Sequence, residues 1–168
     1  MLVLGIDPGY AIIGWGLIDY TAARLAPVAY GAVTTQAGEP FSQRLLKISN
    51  SIGELLDRFR PQAVSIEKLY FNSNTTTAID VAQARGVIVT EAARRKIDIF
   101  EYTPLQVKQA VVGYGRAEKN QVMEMTRQLL KLKSVPKPDD TADALAIAIC
   151  HTHSFHSQSY ELLKTTKA

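Results

Sequence analysis

Leu2-Val-Leu-Gly-Ile-Asp7-Pro-Gly-Tyr10 is an apolar run that ends in one acid and then a turn. A run this short and continuous, stopped by Pro8-Gly9, reads as a strand covered on both faces. Asp7 then stands at the carboxyl end of a central strand. In open α/β sheets that edge is where ligands bind. The other residues of interest are acids that a fold could bring to the same edge.

Working outward, residues 12–20 and 24–35 read as two further strands rich in β-type residues, with Thr21-Ala-Ala23 short enough for a hairpin. Pro40 opens a helical pattern in which Leu45, Ile48, Ile52, Leu55 and Leu56 recur at three- and four-residue spacing, stopping near Arg60-Pro61. Residues 63–67 form a fourth strand, with Glu67 at its carboxyl end. A loop over 69–74, a long helix over 75–95 and a fifth strand over 97–102 follow. Thr103 and Pro104 suit the N-cap and first position of a short helix that Gly113-Tyr-Gly115 ends. Residues 117–131 read as the next helix. The last helix is expected from Asp139 to about residue 153, capped by Asp139. Residues 1–155 thus read as one domain, and the polar stretch 156–168 as a mobile tail. Three meandering strands followed by alternating helices and strands give an α/β fold with a five-stranded mixed sheet flanked by helices. A right-handed crossover would set the fourth strand beside the first, bringing Asp7 and Glu67 to one edge.

The composition agrees with a folded chain: 168 residues, 46% hydrophobic, with a mean hydropathy near zero. A single cysteine, Cys150, excludes an internal disulfide and fits a reducing compartment. No apolar run reaches membrane-span length and no signal-peptide order is present, so the cytoplasm is the expected location and no membrane is involved. The net charge of +3 and pI of about 9.0 are only mildly basic.

The last helix opens Pro138-Asp-Asp140-Thr-Ala-Asp143-Ala-Leu-Ala146. Asp140 and Asp143, three apart, project from one face of one turn. Acids at a helix start also have an ordinary electrostatic role. For Asp143 that reading is weaker, because an apolar run follows it. If Asp7, Glu67, Asp140 and Asp143 converged without a counter-ion, each pair at about 4 Å would repel by roughly 4 kcal/mol at an effective dielectric near 20. A fold tolerates this when a cation belongs there. Oxygen-only ligands select a hard ion, Mg²⁺ first, with Mn²⁺ as a substitute. Two such ions can clamp the attacking and leaving oxygens of a phosphodiester, which points to nuclease chemistry.

Several segments together resemble one family: Leu4-Gly-Ile-Asp-Pro-Gly9, Ile66-Glu67, Ala82-Gln-Ala-Arg-Gly86, Gln106-Val-Lys-Gln109, Val112-Gly-Tyr-Gly-Arg-Ala-Glu-Lys119 and Asp140-Thr-Ala-Asp-Ala-Leu-Ala146. In this order, from residue 2 to about 153, they are similar to the RuvC family of Holliday junction resolvases. The resemblance implies a ribonuclease-H-like fold, a homodimer and Mg²⁺-dependent paired nicking of four-way DNA junctions. It also implies cooperation with a branch-migration helicase complex. By motif position, Asp7, Glu67, Asp140 and Asp143 correspond to the family's metal-binding carboxylates, two ions being expected per site. Some members carry His where this chain has Asp140, and Asp139 is an extra acid beside it.

Candidate DNA contacts are Tyr70, Arg85, Lys108, Arg116 and Lys119. Lys119 follows a Gly-bounded loop at a helix start, where backbone N–H groups also favour phosphate. The resemblance puts Lys108 and Lys119 near the scissile strand and Tyr70 where the family places an aromatic that probes the junction. Each cation could instead be a solvated surface charge, a reading as strong as DNA contact for Arg116, and Tyr70 and Phe71 could pack under their loop. The helix over 75–95 is apolar nearly all round, which suits burial against both the sheet and a twin subunit, with Gly86 allowing close approach. Cys150, His151, His153 and His156 invite a zinc site, but structural zinc draws on two separated ligand pairs. They are read as helix-end residues.

Three rival readings remain on sequence alone. An actin-like ATPase or sugar kinase also starts with a strand, Gly-Ile-Asp and a Gly turn, yet needs a second lobe for which this chain lacks length. A non-catalytic DNA-structure-binding protein would keep the basic residues and lose the acids, all four of which are present. A ribonuclease-H-like nuclease acting on another nucleic acid shares the acids.

Overall fold

The computed structural model describes the backbone of residues 1–69 and 75–165 and the side chains of residues 1–69 and 77–155. Strands β1 (Leu2–Asp7), β2 (Ile12–Thr21) and β3 (Arg24–Thr34) form an antiparallel meander. Ala22 and Ala23, at φ 51° and 61°, make the left-handed turn that a two-residue hairpin requires. Strands β4 (Ala63–Glu67) and β5 (Asp98–Tyr102) join parallel to β1, giving the order β3-β2-β1-β4-β5. The sheet is therefore mixed and five-stranded, as the sequence predicts, and β1 is its middle strand. Val3, Leu4 and Ile6 are no more than 1% exposed.

Helices cover both faces, each with its own apolar core. On one side α1 (Phe41–Phe59) and α2 (Thr75–Arg94) bring Ile48, Ile52, Leu56, Ala84 and Ile88 against Leu4, Ile6 and Leu17. On the other, α3 (Pro104–Val112), α4 (Lys119–Leu129) and α5 (Asp139–Thr165) pack Val107, Val122, Leu145 and Ile149 with Val3 and Ile18. Alternation along the strands makes the two sets separate. α1 and α2 are clamped by Arg95, which donates to Asp57 at 2.7 Å and to Glu91 at 2.6 Å, while the Ser49 hydroxyl donates to Glu91 at 2.7 Å.

Glycines in β1 and β2 let α5 lie directly on the sheet. A side chain at Gly5 would strike the Ala144 carbonyl at 2.1 Å, and one at Gly16 the Leu145 side chain at 2.5 Å. Thr103 and Gln106 cap α3 reciprocally, and Gly113 ends it at φ 92°, as expected from the sequence. α5 extends beyond residue 153, where its apolar pattern stops; the sequence up to Thr165 has no Gly or Pro to break it. Among the described residues no helix is long and apolar enough to cross a membrane.

Candidate active site

The parallel pairing of Ile6 with Ile66 places Asp7 and Glu67 next to one another at the carboxyl ends of β1 and β4. Asp7 is paired across the other side with Gly14 of β2. A side chain at Gly14 would meet the Asp140 carbonyl at 1.9 Å, so the first turn of α5 rests against that strand end. Asp140 and Asp143 are thereby delivered to the edge that Asp7 and Glu67 already occupy. Distant segments meet because a glycine makes room for the helix.

The electrostatics report the same convergence. Burial, then the charges of Glu67, Asp143 and Asp140, push the Asp7 carboxyl up to about 8, with Lys119 opposing. Glu67 is raised by burial and by Asp143. Asp143 is also raised, by burial first and then by Asp140 and Asp139, although Lys119 pulls the other way. These acids are held where their charged forms are disfavoured unless positive charge is added. The donor set is oxygen only, which fits a hard divalent cation. Among the described residues, no three Asp, Glu, His or Cys side chains already close on one point.

Part of the positive charge is supplied by the chain itself. Lys119 is the first residue of α4, and its Nζ lies 3.0 Å from Asp143 and 3.9 Å from Asp139. Burial is the largest single influence and disfavours the ammonium, but the Asp143 bond and the charges of Asp143, Asp139 and Asp140 together outweigh it, and the Lys119 pKa is raised. Asp139 corrects an expectation. It is not placed before α5 as a cap but is the helix's first residue, and its carboxylate accepts from Lys137 at 2.6 Å. That bond holds Asp139 below the usual carboxylate range. Glu67, Lys108, Lys119 and Asp143 line one cleft of about 200 Å³, floored by Pro104, Val107 and Val122.

The remaining candidates lie apart. Arg85 is paired with Glu101 in a separate recess lined by Lys68 and Leu69. Arg116 is exposed on the loop before α4. Tyr70 and Phe71 fall outside the described residues. Among the described residues Cys150, His151 and His153 form no ligand set, and the His156 side chain lies outside the described residues. Cys150 is buried, His151 shares a 2.8 Å hydrogen bond with the Tyr102 hydroxyl, and His153 bonds the Ala110 carbonyl at 3.0 Å. Sequence reasoning missed the apolar floor of the cleft and the contacts of Lys119 with Asp143 and Asp139, because neither has a local signature.

A family model described as crossover junction endodeoxyribonuclease RuvC matches residues 3–151. The chain belongs to the RuvC family. Its RuvC relative from Ruminiclostridium cellulolyticum is 55% identical over 154 residues, covering 92% of this chain and 93% of the other. The RuvC of Alkaliphilus metalliredigens is 55% identical over 159 residues, covering 95% and 97%. In three dimensions the chain is similar to Thermus thermophilus RuvC in complex with Holliday junction substrate. That match has a TM-score of 0.85 at 38% identity and covers 90% of this chain and 93% of that one. The ribonuclease-H-like α/β fold implied by the motifs is the RuvC fold observed. The chain is accordingly a crossover junction endodeoxyribonuclease, a nuclease of recombination and repair.

Proposed function

We propose that the chain binds four-way DNA junctions as a homodimer and makes paired, symmetric nicks with Mg²⁺, for which Mn²⁺ can substitute, using two ions per site. The observation that carries this is the placement of Asp7, half-buried beside Glu67 at the sheet edge, with the first turn of α5 and its Asp140 and Asp143 packed against the adjoining strand at Gly14. Burial and the neighbouring acids push the Asp7 carboxyl up to about 8. Asp7, Glu67, Asp140 and Asp143 would hold the ions. When bound, the ions activate water and polarise the scissile phosphate, so that cleavage leaves a 5′-phosphate and a 3′-hydroxyl.

The chain's own residues do the rest. Lys119 adds charge beside Asp143, where negative charge develops in the transition state. Lys108, on the same cleft, meets the DNA backbone, with Arg116 further out and Arg85, paired with Glu101, as a further DNA contact. Tyr70 is assigned to the unpaired bases of the junction by motif position. A twin subunit suits the outer face of α2, where Ile79 is 65% exposed and a side chain at Gly86 would meet nothing within 4 Å. Two-fold symmetry then sets two sites for symmetric cuts. A branch-migration helicase complex is the further partner.

A synthetic four-way junction with and without Mg²⁺, beside linear duplex and RNA–DNA hybrid controls, tests this reading. Paired nicks in the junction alone are expected. Asp7→Asn should still bind the junction and fail to cut it; retained cutting would remove Asp7 from the mechanism.

A further inference from the structure

The chain leaves β1 at Asp7 and reaches β2 at Ile12 through a four-residue turn, Pro8 to Ala11. This turn sets the direction in which Asp7 faces the other acids. It is tight: a side chain at Gly9 would meet the Ile12 carbonyl at 2.0 Å. It is also held from outside. The Thr35 hydroxyl, on a residue only 7% exposed, donates to the Tyr10 carbonyl at 2.7 Å, and the Thr35 N–H donates to the Ala11 carbonyl at 2.9 Å.

Arg44, in the first turn of α1, completes this staple. Its Nε donates to the Thr35 hydroxyl oxygen at 2.8 Å and its Nη2 approaches the Tyr10 carbonyl at 3.5 Å. The guanidinium carbon lies over the Tyr10 ring, 3.6 Å from its centre, and that ring packs on Phe41 at 5.5 Å. Among the described residues no carboxylate forms an ion pair with Arg44. A planar fork that stacks and donates along fixed directions is a geometry Lys cannot copy.

We propose that Arg44 is a positioning residue for Asp7: through Thr35 and Tyr10 it fixes the turn that aims the Asp7 carboxylate. The inference rests on the reading of Asp7 as a metal-holding acid. Outer partners of metal-holding groups commonly change metal affinity or activity by about 10–100-fold.

The test compares Arg44→Ala, Arg44→Lys and Thr35→Val with the unaltered chain. Three readouts apply: Mg²⁺ and Mn²⁺ titrations of junction cleavage, junction affinity without divalent metal, and amide hydrogen exchange over residues 8–12. Arg44→Ala and Arg44→Lys should each raise the metal concentration for half-maximal cleavage by about tenfold or more. Exchange over residues 8–12 should speed up and metal-free junction affinity should stay within about twofold. Thr35→Val should act in the same direction, which keeps the test usable if Arg44→Ala folds poorly. An unchanged metal requirement overturns the proposal, as does a loss of junction affinity alone, which would make Arg44 a phosphate contact. Failure of the underlying reading is separate, because it shows as cutting by Asp7→Asn.

Discussion

The Lys119 ammonium, at the first residue of α4, sits 3.0 Å from a carboxylate oxygen of Asp143 in the first turns of α5. Two helix starts thus face each other across the cleft, one offering a cation and the other an acid. Lys119 is half exposed, so the pair contributes little to stability by itself. Its proposed place is at the chemistry. Lys119→Ala should lower the junction cleavage rate by about 100-fold or more, while metal-free junction affinity changes only a few-fold. Single-turnover cleavage against a binding titration separates the two; equal losses in both would make Lys119 a DNA-holding residue only.

Asp7 should give the metal-free protein a distinctive pH dependence. Its folded pKa of about 8 lies above the ordinary 3.8, so the fold binds a proton that the unfolded chain releases. This contribution favours the fold at low pH and is lost as pH rises from about 4 through 8, by up to about 1.4 kcal/mol per unit. Asp7→Asn should flatten that slope and leave the metal-free protein more stable at pH 8. Urea unfolding at several pH values measures it.

The same proton competes with metal. Affinity for Mg²⁺ or Mn²⁺ should climb by up to about tenfold per pH unit and level off above pH 8. Calorimetric titration in buffers of different ionisation heat would count the released proton. A flat affinity between pH 6 and 8 would contradict the assignment of Asp7.

Gly14→Ala should disturb the site through the backbone. The added methyl would meet the Asp140 carbonyl at 1.9 Å and the Thr141 nitrogen at 2.9 Å, and a helix backbone cannot bend aside as a side chain does. Overpacking of this kind costs about 1–3 kcal/mol. For a chain of this size the Tm should fall by roughly 2–12 °C. Cleavage should fall further than the folded fraction explains, because Asp140 moves with its helix.

Glu91→Ala provides the contrast, since it lies in the α1–α2 clamp on the opposite face. Ser49 and Arg95 hold the Glu91 carboxyl below its ordinary value. Its stabilisation is present above about pH 4.5 and fades as pH falls through the lower folded value. Loss of this nearly buried partner should cost about 2–3 kcal/mol. Thermal melts would show it, with cleavage per folded molecule at 25 °C unchanged.

Much of this molecule is readable without coordinates. The run from Leu2 to Asp7, covered on both faces, already places an acid at the end of a central strand. The three strand–turn signals, the Thr103–Pro104 helix start and the helical spacing after Pro40 are local, and local chemistry determines them. The pairing of β1 with β4 follows from the handedness of crossovers. Six motifs in order add the family.

The amino-acid sequence by itself determined the strand ends and most helix starts, because these depend on neighbours within a few residues, and it singled out Asp7, Glu67, Asp140 and Asp143 as candidates. Only the tertiary structure decided that Lys119 lies against Asp143, that Asp139 pairs with Lys137 rather than capping a helix, and that Arg44 grips the turn after Asp7. Each of those contacts depends on how elements far apart in the chain pack. Three glycines under α5 set the height of that helix over the sheet, and so where its acids come to rest.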